Sequence, residues 1–444
     1  MNIVLLSGGS GKRLWPLSND VRSKQFIKIF KAENGEYESM VQRMYRQIRT
    51  LDKEAKITVA TSKTQVSAIH NQLGKKVGIS VEPCRRDTFP AIALAMAYLA
   101  DVQKVSLKEP VVVCPVDPYV EQDYFEALKL LSEQAAKGEA NLVLMGIEPT
   151  YPSEKYGYIL PKDKECISDV SCFKEKPDMQ AAKQYIAQGA LWNGGVFAFK
   201  LEYLLEKAHE LIDFTDYQDL FSKYETLEKI SFDYAVAEKE PFIQVMRFGG
   251  QWKDLGTWNT LTEVMEEKPI GDVVVSEKCR NTHVINELSI PIVVMGAKDM
   301  IVAASPDGIL VSDKEQSSYI KGYVENRDMR PMFEERSWGE YKVLDIAGGE
   351  DGTKSLTKRK KIREGERIAY QVHQNRAEVL TVLSGKCIIT VNDRAHEAFA
   401  GDTYSVPAGV KHGVFAVTDT EVLEVQVGKE LIKDGTELIE GKEE

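Results

Sequence analysis

The six cysteines of this 444-residue chain, at 84, 114, 166, 172, 279 and 387, form no Cys-x-x-Cys pair. Several lie inside apolar runs, so buried free thiols are expected rather than disulfides. No stretch reaches the roughly 18 apolar residues that a membrane span requires. The N-terminal run Ile3–Leu6 is too short for a signal h-region, and the expectation is a cytoplasmic enzyme without membrane contact. Positive charge is not in excess: 57 basic against 68 acidic residues give a net charge of −11. That argues against a general nucleic-acid binder and leaves room for a local basic pocket. No long repeat or low-complexity tract appears, and His70, His209, His283 and His396 carry no pattern.

What is present is an ordinary globular composition, 43% hydrophobic and 28% charged, in a chain long enough for two or three domains. Through residue 268, short apolar runs (Ile3–Leu6, Ile57–Ala60, Val111–Cys114, Leu142–Gly146) alternate with helical stretches such as Pro90–Val102 and Asp123–Lys137. This rhythm predicts an α/β domain with a mostly parallel sheet, whose ligands sit beyond the carboxyl ends of the strands. Residues 269–325 read as a small β-rich module, and 326–336, polar and containing Pro331, as a linker. Residues 337–430 show an all-β pattern with turn signals at Glu364-Gly365, Ser384-Gly385, Asn392-Asp393 and Ala400-Gly401, which predicts a barrel or jelly roll. Residues 431–444 read as a frayed acidic tail.

The first strand runs into Ser7-Gly8-Gly9-Ser10-Gly11-Lys12-Arg13. A Walker loop fails here, because Leu6 stands where its first glycine belongs and Arg13 follows the lysine. A dinucleotide fingerprint begun at Gly9 meets Leu14 at its sixth place and fails too. What remains is a glycine-rich anion loop, with Arg13 able to fork onto phosphate oxygens and Lys24 as a second cation.

The run Leu6 to Ser18, followed by Lys24-Gln25-Phe26, resembles the signature of bacterial mannose-1-phosphate guanylyltransferases, with Lys12 in the family's usual threonine place. Glu82-Pro83 through Ala91 is similar to a second family segment, with Arg85, Asp87 and Phe89 departing from it. Tyr156-Gly157-Tyr158-Ile159, Phe173 to Pro177, Trp192 to Gly195, Asp233-Tyr234-Ala235 and Trp252 to Trp258 follow in the family's order.

The resemblance implies a Rossmann-like nucleotidyltransferase domain that joins GTP and mannose 1-phosphate into GDP-mannose and pyrophosphate. It implies Arg13, Lys24, Lys176, Asp117 and Asp254 as the catalytic set. Asp117 follows the strand Val111–Cys114 and Asp254 sits in a loop flanked by Gly250 and Gly256, a pair suited to Mg²⁺. Leu6, Ser7, Gly8, Gly9 and Gly11, with Glu82, Arg86 and Thr88, would line the nucleotide. Gly157, Glu175 and Asn193 would meet the sugar.

In the C-terminal part, Gln371, His373 and Glu378 can converge with His412 as N/O ligands for Zn²⁺, Mn²⁺ or another divalent transition metal. This looks like the cupin of type II phosphomannose isomerases fused to guanylyltransferases. The neighbouring positions Gln374, Asn375, Val379, Leu380 and Gly413 depart from that pattern. Isomerase chemistry in the barrel and a different sugar 1-phosphate both stay open, as does a homodimer.

Overall fold

The computed structural model describes the chain except residues 10, 11, 20, 266–268, 326–329, 430, 432–435 and 441–444. Gly11 of the anion loop therefore lies outside the described residues, as does part of the expected tail.

A nine-stranded sheet forms the N-terminal domain. Its order is Gly78–Glu82, Lys56–Ser62, Asn2–Ser7, Pro110–Pro115, Leu191–Lys200, Leu142–Ile147, Ile243–Phe248, Ile167–Lys174 and Tyr158–Pro161. The first four strands run parallel, as do Leu142–Ile147 and Ile243–Phe248. Leu191–Lys200 is antiparallel to both of its main neighbours, and the far edge is antiparallel as well. The sheet is thus mixed, where a mostly parallel one was expected. A four-residue apolar run marks a strand buried on both faces, but it carries no direction.

Each face carries its own core. Val41, Met44 and Ile48 of helix Met40–Leu51, with Tyr124, Phe125, Leu128 and Leu131 of Gln122–Lys137, cover one face. Helix Thr88–Asp101 covers the other and is buried nearly all round, from Phe89 to Ala97, because Leu201–Leu211 packs outside it.

The small module pairs His283–Asn286 with Met300–Ser305 in parallel, and the latter with Gly308–Asp313 in antiparallel. Its Ile285, Ile301 and Ala303 share one core with Leu14 and Leu17, the apolar residues of the loop that follows the glycines. The second half of the anion loop is therefore anchored in the next structural unit.

The C-terminal part is an antiparallel barrel of two sheets. One holds Phe333–Arg336, Gly339–Gly348, Lys354–Ile362, Thr420–Gly428, Arg376–Ser384 and Thr403–Val406; the other holds Arg394–Phe399, Lys386–Val391, His412–Ala416, Arg367–His373 and Thr436–Glu440. Two expectations change here. Phe333–Arg336, read as linker, pairs with Gly339–Gly348, and Thr436–Glu440, read as tail, pairs with Arg367–His373. The predicted turns do bend the chain: Gly365, Gly385, Asn392, Asp393 and Gly401 all have positive φ. All six cysteines are free, but only Cys114 and Cys387 are buried, and Cys166 is exposed.

Candidate active site

The glycine loop leaves the central strand at its carboxyl end and is latched from below. Gln25 Nε2 donates to the Ser7 carbonyl at 3.3 Å and to Ser7 Oγ at 3.1 Å, and Thr61 Oγ1 donates to the same carbonyl at 3.3 Å. Ser23 Oγ donates to the Gly9 carbonyl at 3.1 Å, while Gln65 Nε2 donates to Ser23 Oγ at 2.6 Å. Gly9 has φ +113°, a conformation closed to side-chain-bearing residues in practice. The Ser7 and Gly9 carbonyls are thus held by side chains, which fixes the first, described part of the loop, Ser7–Gly9, before any anion arrives. The Leu6 carbonyl is taken by Val116 N at 3.3 Å, and Gly8 has open space around its Cα.

Asp117 and Asp254 come together because Pro118–Val120 pairs antiparallel with Trp252–Asp254, in a register that sets Asp254 against Pro118. Lys24 lies between them: its Nζ is 2.7 Å from Asp117 Oδ2 and 3.7 Å from Asp254 Oδ1. Burial pushes the Asp117 carboxyl up, but the charge and hydrogen bond of Lys24 outweigh it and hold the group below the usual carboxylate range. Burial pulls the Lys24 ammonium down, and Asp117 with Asp254 more than reverse that, despite repulsion from Arg13. Arg13 itself stands exposed on the short turn Lys12–Leu14. The two carboxylates offer oxygen donors of the kind Mg²⁺ takes, and in this structure the Lys24 ammonium supplies their counter-charge.

Gly157, Glu175 and Asn193, expected on the sugar side, also converge. The Gly157 carbonyl accepts from Asn193 N at 2.8 Å, and a Cβ at Gly157 would lie 2.4 Å from Glu175 Oε2. Glu175 Oε2 is buried without a hydrogen-bond partner among the described residues, and Oε1 is paired with Lys176 Nζ. Lys176 has φ +45°, so its backbone is strained where its ammonium is presented. Asn193 is locked at both ends, donating from Nδ2 to Asp233 Oδ1 at 2.6 Å and accepting from Gly195 N at 3.0 Å. Asp233, which the motif reading quoted without a role, is pushed up to about 6 by burial and by the charge of Glu175.

Glu82, Arg86 and Thr88 direct their side chains elsewhere than the loop. Glu82 accepts from Tyr224 OH at 2.8 Å, Arg86 donates to the Glu225 carbonyl, and Thr88 Oγ1 accepts from Phe232 N at 2.8 Å. The residue of this segment that reaches the loop is Arg85, whose Nη2 donates to the Gly9 carbonyl at 3.2 Å. Its only sequence signal is that it departs from the family pattern.

In the barrel, His373, Glu378 and His412 place ligand atoms within 4.8 Å of one another, all buried. His373 Nε2 is 3.1 Å from Glu378 Oε1, and His412 Nε2 is 3.0 Å from Oε2. Gln371 pairs with His412 across neighbouring strands. Arg376 and Gln426 also donate to Glu378 Oε1, at 2.9 and 3.0 Å. Burial would raise the Glu378 carboxyl, but the hydrogen bond with His412 and the charges of Lys360, His373 and His412 drive it far below its ordinary value; burial pushes His373 down to about 4. Two imidazoles beside an ionised carboxylate are the donor set of a divalent transition metal, and the residues fit one.

A glycine-rich loop at the carboxyl end of an inner strand, a lysine-bridged carboxylate pair beside it and a polar cluster around Glu175, Asn193 and Asp233 fit a nucleotidyl-transfer fold. The chain belongs to the nucleotidyl transferase family, whose model matches residues 2–269, and a cupin domain model matches residues 359–427. It is an enzyme of that family. It is 30% identical to the xanthan biosynthesis protein XanB of Xanthomonas campestris pv. campestris (strain B100), over 97% of this chain and 96% of that protein. It is 29% identical to the mannose-1-phosphate guanylyltransferase ManC of Salmonella typhimurium (strain LT2), over 92% of this chain and 90% of that protein. Among solved structures, the mannose-1-phosphate geranyltransferase from Thermus thermophilus superposes with a TM-score of 0.59 at 28% identity, over 73% of this chain and 98% of that one. No helix among the described residues is long and apolar enough to cross a membrane.

Proposed function

We propose that the enzyme transfers a guanylyl group from GTP to mannose 1-phosphate, releasing pyrophosphate and forming GDP-mannose. The observation that carries this reading is Lys24 bridging Asp117 and Asp254 beside the latched glycine loop. A phosphate monoester is largely dianionic at neutral pH, so the sugar phosphate oxygen needs no general base. It attacks the α-phosphorus, the bond from that phosphorus to the oxygen bridging to the β-phosphate breaks, and pyrophosphate leaves. No proton has to move. The task of the protein is to bring two anions into line and to stabilise the leaving group.

The backbone N–H groups of Gly8 and Gly9 are assigned to the triphosphate, and Arg13, on its exposed turn, to the departing pyrophosphate. Lys176 holds the sugar phosphate, with Glu175 Oε2 accepting from a sugar hydroxyl and Gly157 allowing the close approach. Asp117 and Asp254 are the residues that would hold Mg²⁺, which supplies charge neutralisation at the triphosphate when bound. Support from relatives is their naming as mannose-1-phosphate guanylyltransferases over nearly the whole of this chain's length.

The decisive measurement is Mg²⁺-dependent pyrophosphate release across a panel of nucleoside triphosphates and sugar 1-phosphates. GTP with mannose 1-phosphate is expected to lead, and Arg13→Ala to lose about 100-fold or more, as removal of a charge-stabilising donor does. No release from any pair would overturn the reading. The buried His373, Glu378 and His412 cluster favours a second activity, isomerisation of fructose 6-phosphate and mannose 6-phosphate in a metal-loaded barrel. A coupled assay with Zn²⁺, Mn²⁺ or Co²⁺ tests it, and an isomerase rate unchanged in His412→Ala would count against it.

A further inference from the structure

The turn that carries Lys24 is held from outside its own domain. Asn19 Nδ2 donates to Asp307 Oδ2 of the small module at 2.6 Å, while Asn19 Oδ1 accepts from the backbone of Val21 and Arg22 at 2.8 and 2.6 Å. Arg22 then crosses to the module. Its Nη1 and Nη2 donate to the two oxygens of Glu287 at 2.7 and 2.9 Å, and its guanidinium lies over the Phe333 ring, 5.0 Å from the centroid. On the far side of Lys24, the Phe26 carbonyl accepts from Gln72 Nε2 at 3.1 Å, and the same amide donates to the Glu335 carboxylate at 3.1 and 3.2 Å. Asp307 Oδ1 accepts from Met332 N at 2.6 Å.

Phe333 and Glu335 sit on the strand that pairs with Gly339–Gly348, the next strand of the barrel. The turn that bears Lys24 is thus held on its Asn19–Arg22 side directly by residues of the two later units, and at Phe26 by Gln72 of its own domain, whose amide is in turn bonded to Glu335 of the strand leading into the barrel. A planar guanidinium in a two-point pair with a carboxylate, stacked on a ring, has one orientation. A lysine ammonium on a flexible stem has many, and takes its place from its backbone. Lys24 must serve two carboxylates at 2.7 and 3.7 Å, and a backbone shift of about 1 Å would take it out of reach of one of them.

We infer that Arg22 is a positioning residue for the transferase reaction: clamped between Glu287 and Phe333, it fixes the turn that delivers Lys24 to Asp117 and Asp254, which makes the strand leading into the barrel part of the support of the transferase site. Arg22 touches neither carboxylate of the site and acts through the turn. The inference rests on the reading of Lys24, Asp117 and Asp254 as a reaction centre.

The test uses Arg22→Met and Arg22→Lys in the full chain, with Phe333→Leu and Glu287→Gln to carry it should Arg22→Met fail to fold. Two readouts are taken. In steady-state kinetics, kcat is expected to fall about tenfold or more in Arg22→Met while both KM values stay within about threefold, and Arg22→Lys, which keeps the charge but loses the two-point pair, should recover only part of the loss. Independently of any substrate, the rate at which an amine-acylating reagent modifies Lys24, read by mass spectrometry, should rise about fivefold or more as its ion pair loosens, with exposed Lys162 unchanged. Unchanged Lys24 acylation, or a kcat within twofold of the unsubstituted enzyme in a folded variant, overturns the inference. Failure of the unsubstituted enzyme to release pyrophosphate from any substrate pair would instead sink the proposed function, and the acylation rate would still decide the clamp.

Discussion

Replacing Gly157 by alanine puts one methyl group where the structure has no room. The added Cβ would lie 2.4 Å from Glu175 Oε2, 3.2 Å from Asn193 Cβ and 3.4 Å from Phe173 Cζ. The last two are tight but tolerable; the first is not, and Glu175 has to retreat by about 1 Å to reach ordinary contact distance. It cannot retreat freely, because it is buried and its other oxygen is paired with Lys176. Overpacking of this kind costs about 1–3 kcal/mol, and at about 2–4 °C per kcal/mol for a domain of this size the melting temperature should drop by roughly 2–12 °C. The functional cost should be larger. A displacement of about 1 Å at a positioning group is worth on the order of 100-fold in rate. The assay is pyrophosphate release at saturating and limiting sugar phosphate, beside a thermal melt. Shortening the crowded side chain in Gly157→Ala/Glu175→Asp should return part of the lost melting temperature, since neighbouring substitutions do not add. A Gly157→Ala enzyme with an unaltered melt and a rate within threefold would refute the reasoning that Glu175 and Gly157 form a shaped wall.

Asp254→Asn should reduce pyrophosphate release by about 100-fold or more and raise the Mg²⁺ concentration needed for half-maximal rate, measured by metal titration, because one of two anionic donors is lost. The Asp233 carboxyl is pushed up to about 6 by burial and by Glu175, so the folded chain keeps a proton that the unfolded chain has already lost between about pH 4 and 6. Stability relative to Asp233→Asn is therefore expected to be greatest below about pH 4 and to fall as pH rises through 6, by up to roughly 3 kcal/mol in denaturant titrations; a pH-independent difference would contradict this. Glu378→Gln removes the charge that faces Arg376, His373 and His412, and should destabilise the barrel by about 3–5 kcal/mol. Zn²⁺ or Mn²⁺ at about 100 times its dissociation constant should raise stability by roughly 2.7 kcal/mol in the unsubstituted protein, and far less in His412→Ala; equal shifts in both would exclude the His412 site.

The glycine loop and the segments holding His373, Glu378 and His412 were legible as local patterns. A glycine run directly after an apolar strand has few structural uses, and failing both the Walker and dinucleotide spacings narrowed it further. Asp117 was found from its place after a strand; that it meets Asp254 follows from the pairing of Pro118–Val120 with Trp252–Asp254, a link across more than a hundred residues that spacing cannot carry. Glu82, Arg86 and Thr88 share a segment with the motif, and only the structure shows that they pair with Tyr224, Glu225 and Phe232. Arg85, a departure from the pattern, is the one that reaches Gly9.

Local sequence settled most of the strands and helices, Phe333–Arg336 and Thr436–Glu440 excepted, where the turns fall, and which residue types stand ready at the strand ends. Those properties depend on near neighbours in the chain, through periodicity, glycine conformation and residue chemistry. The direction of Leu191–Lys200 in the sheet, the raised carboxyl of Asp233, and the clamp of Arg22 on Glu287 and Phe333 were settled in three dimensions alone. Each of these depends on burial and on partners supplied by distant segments, and an isolated stretch of sequence contains neither.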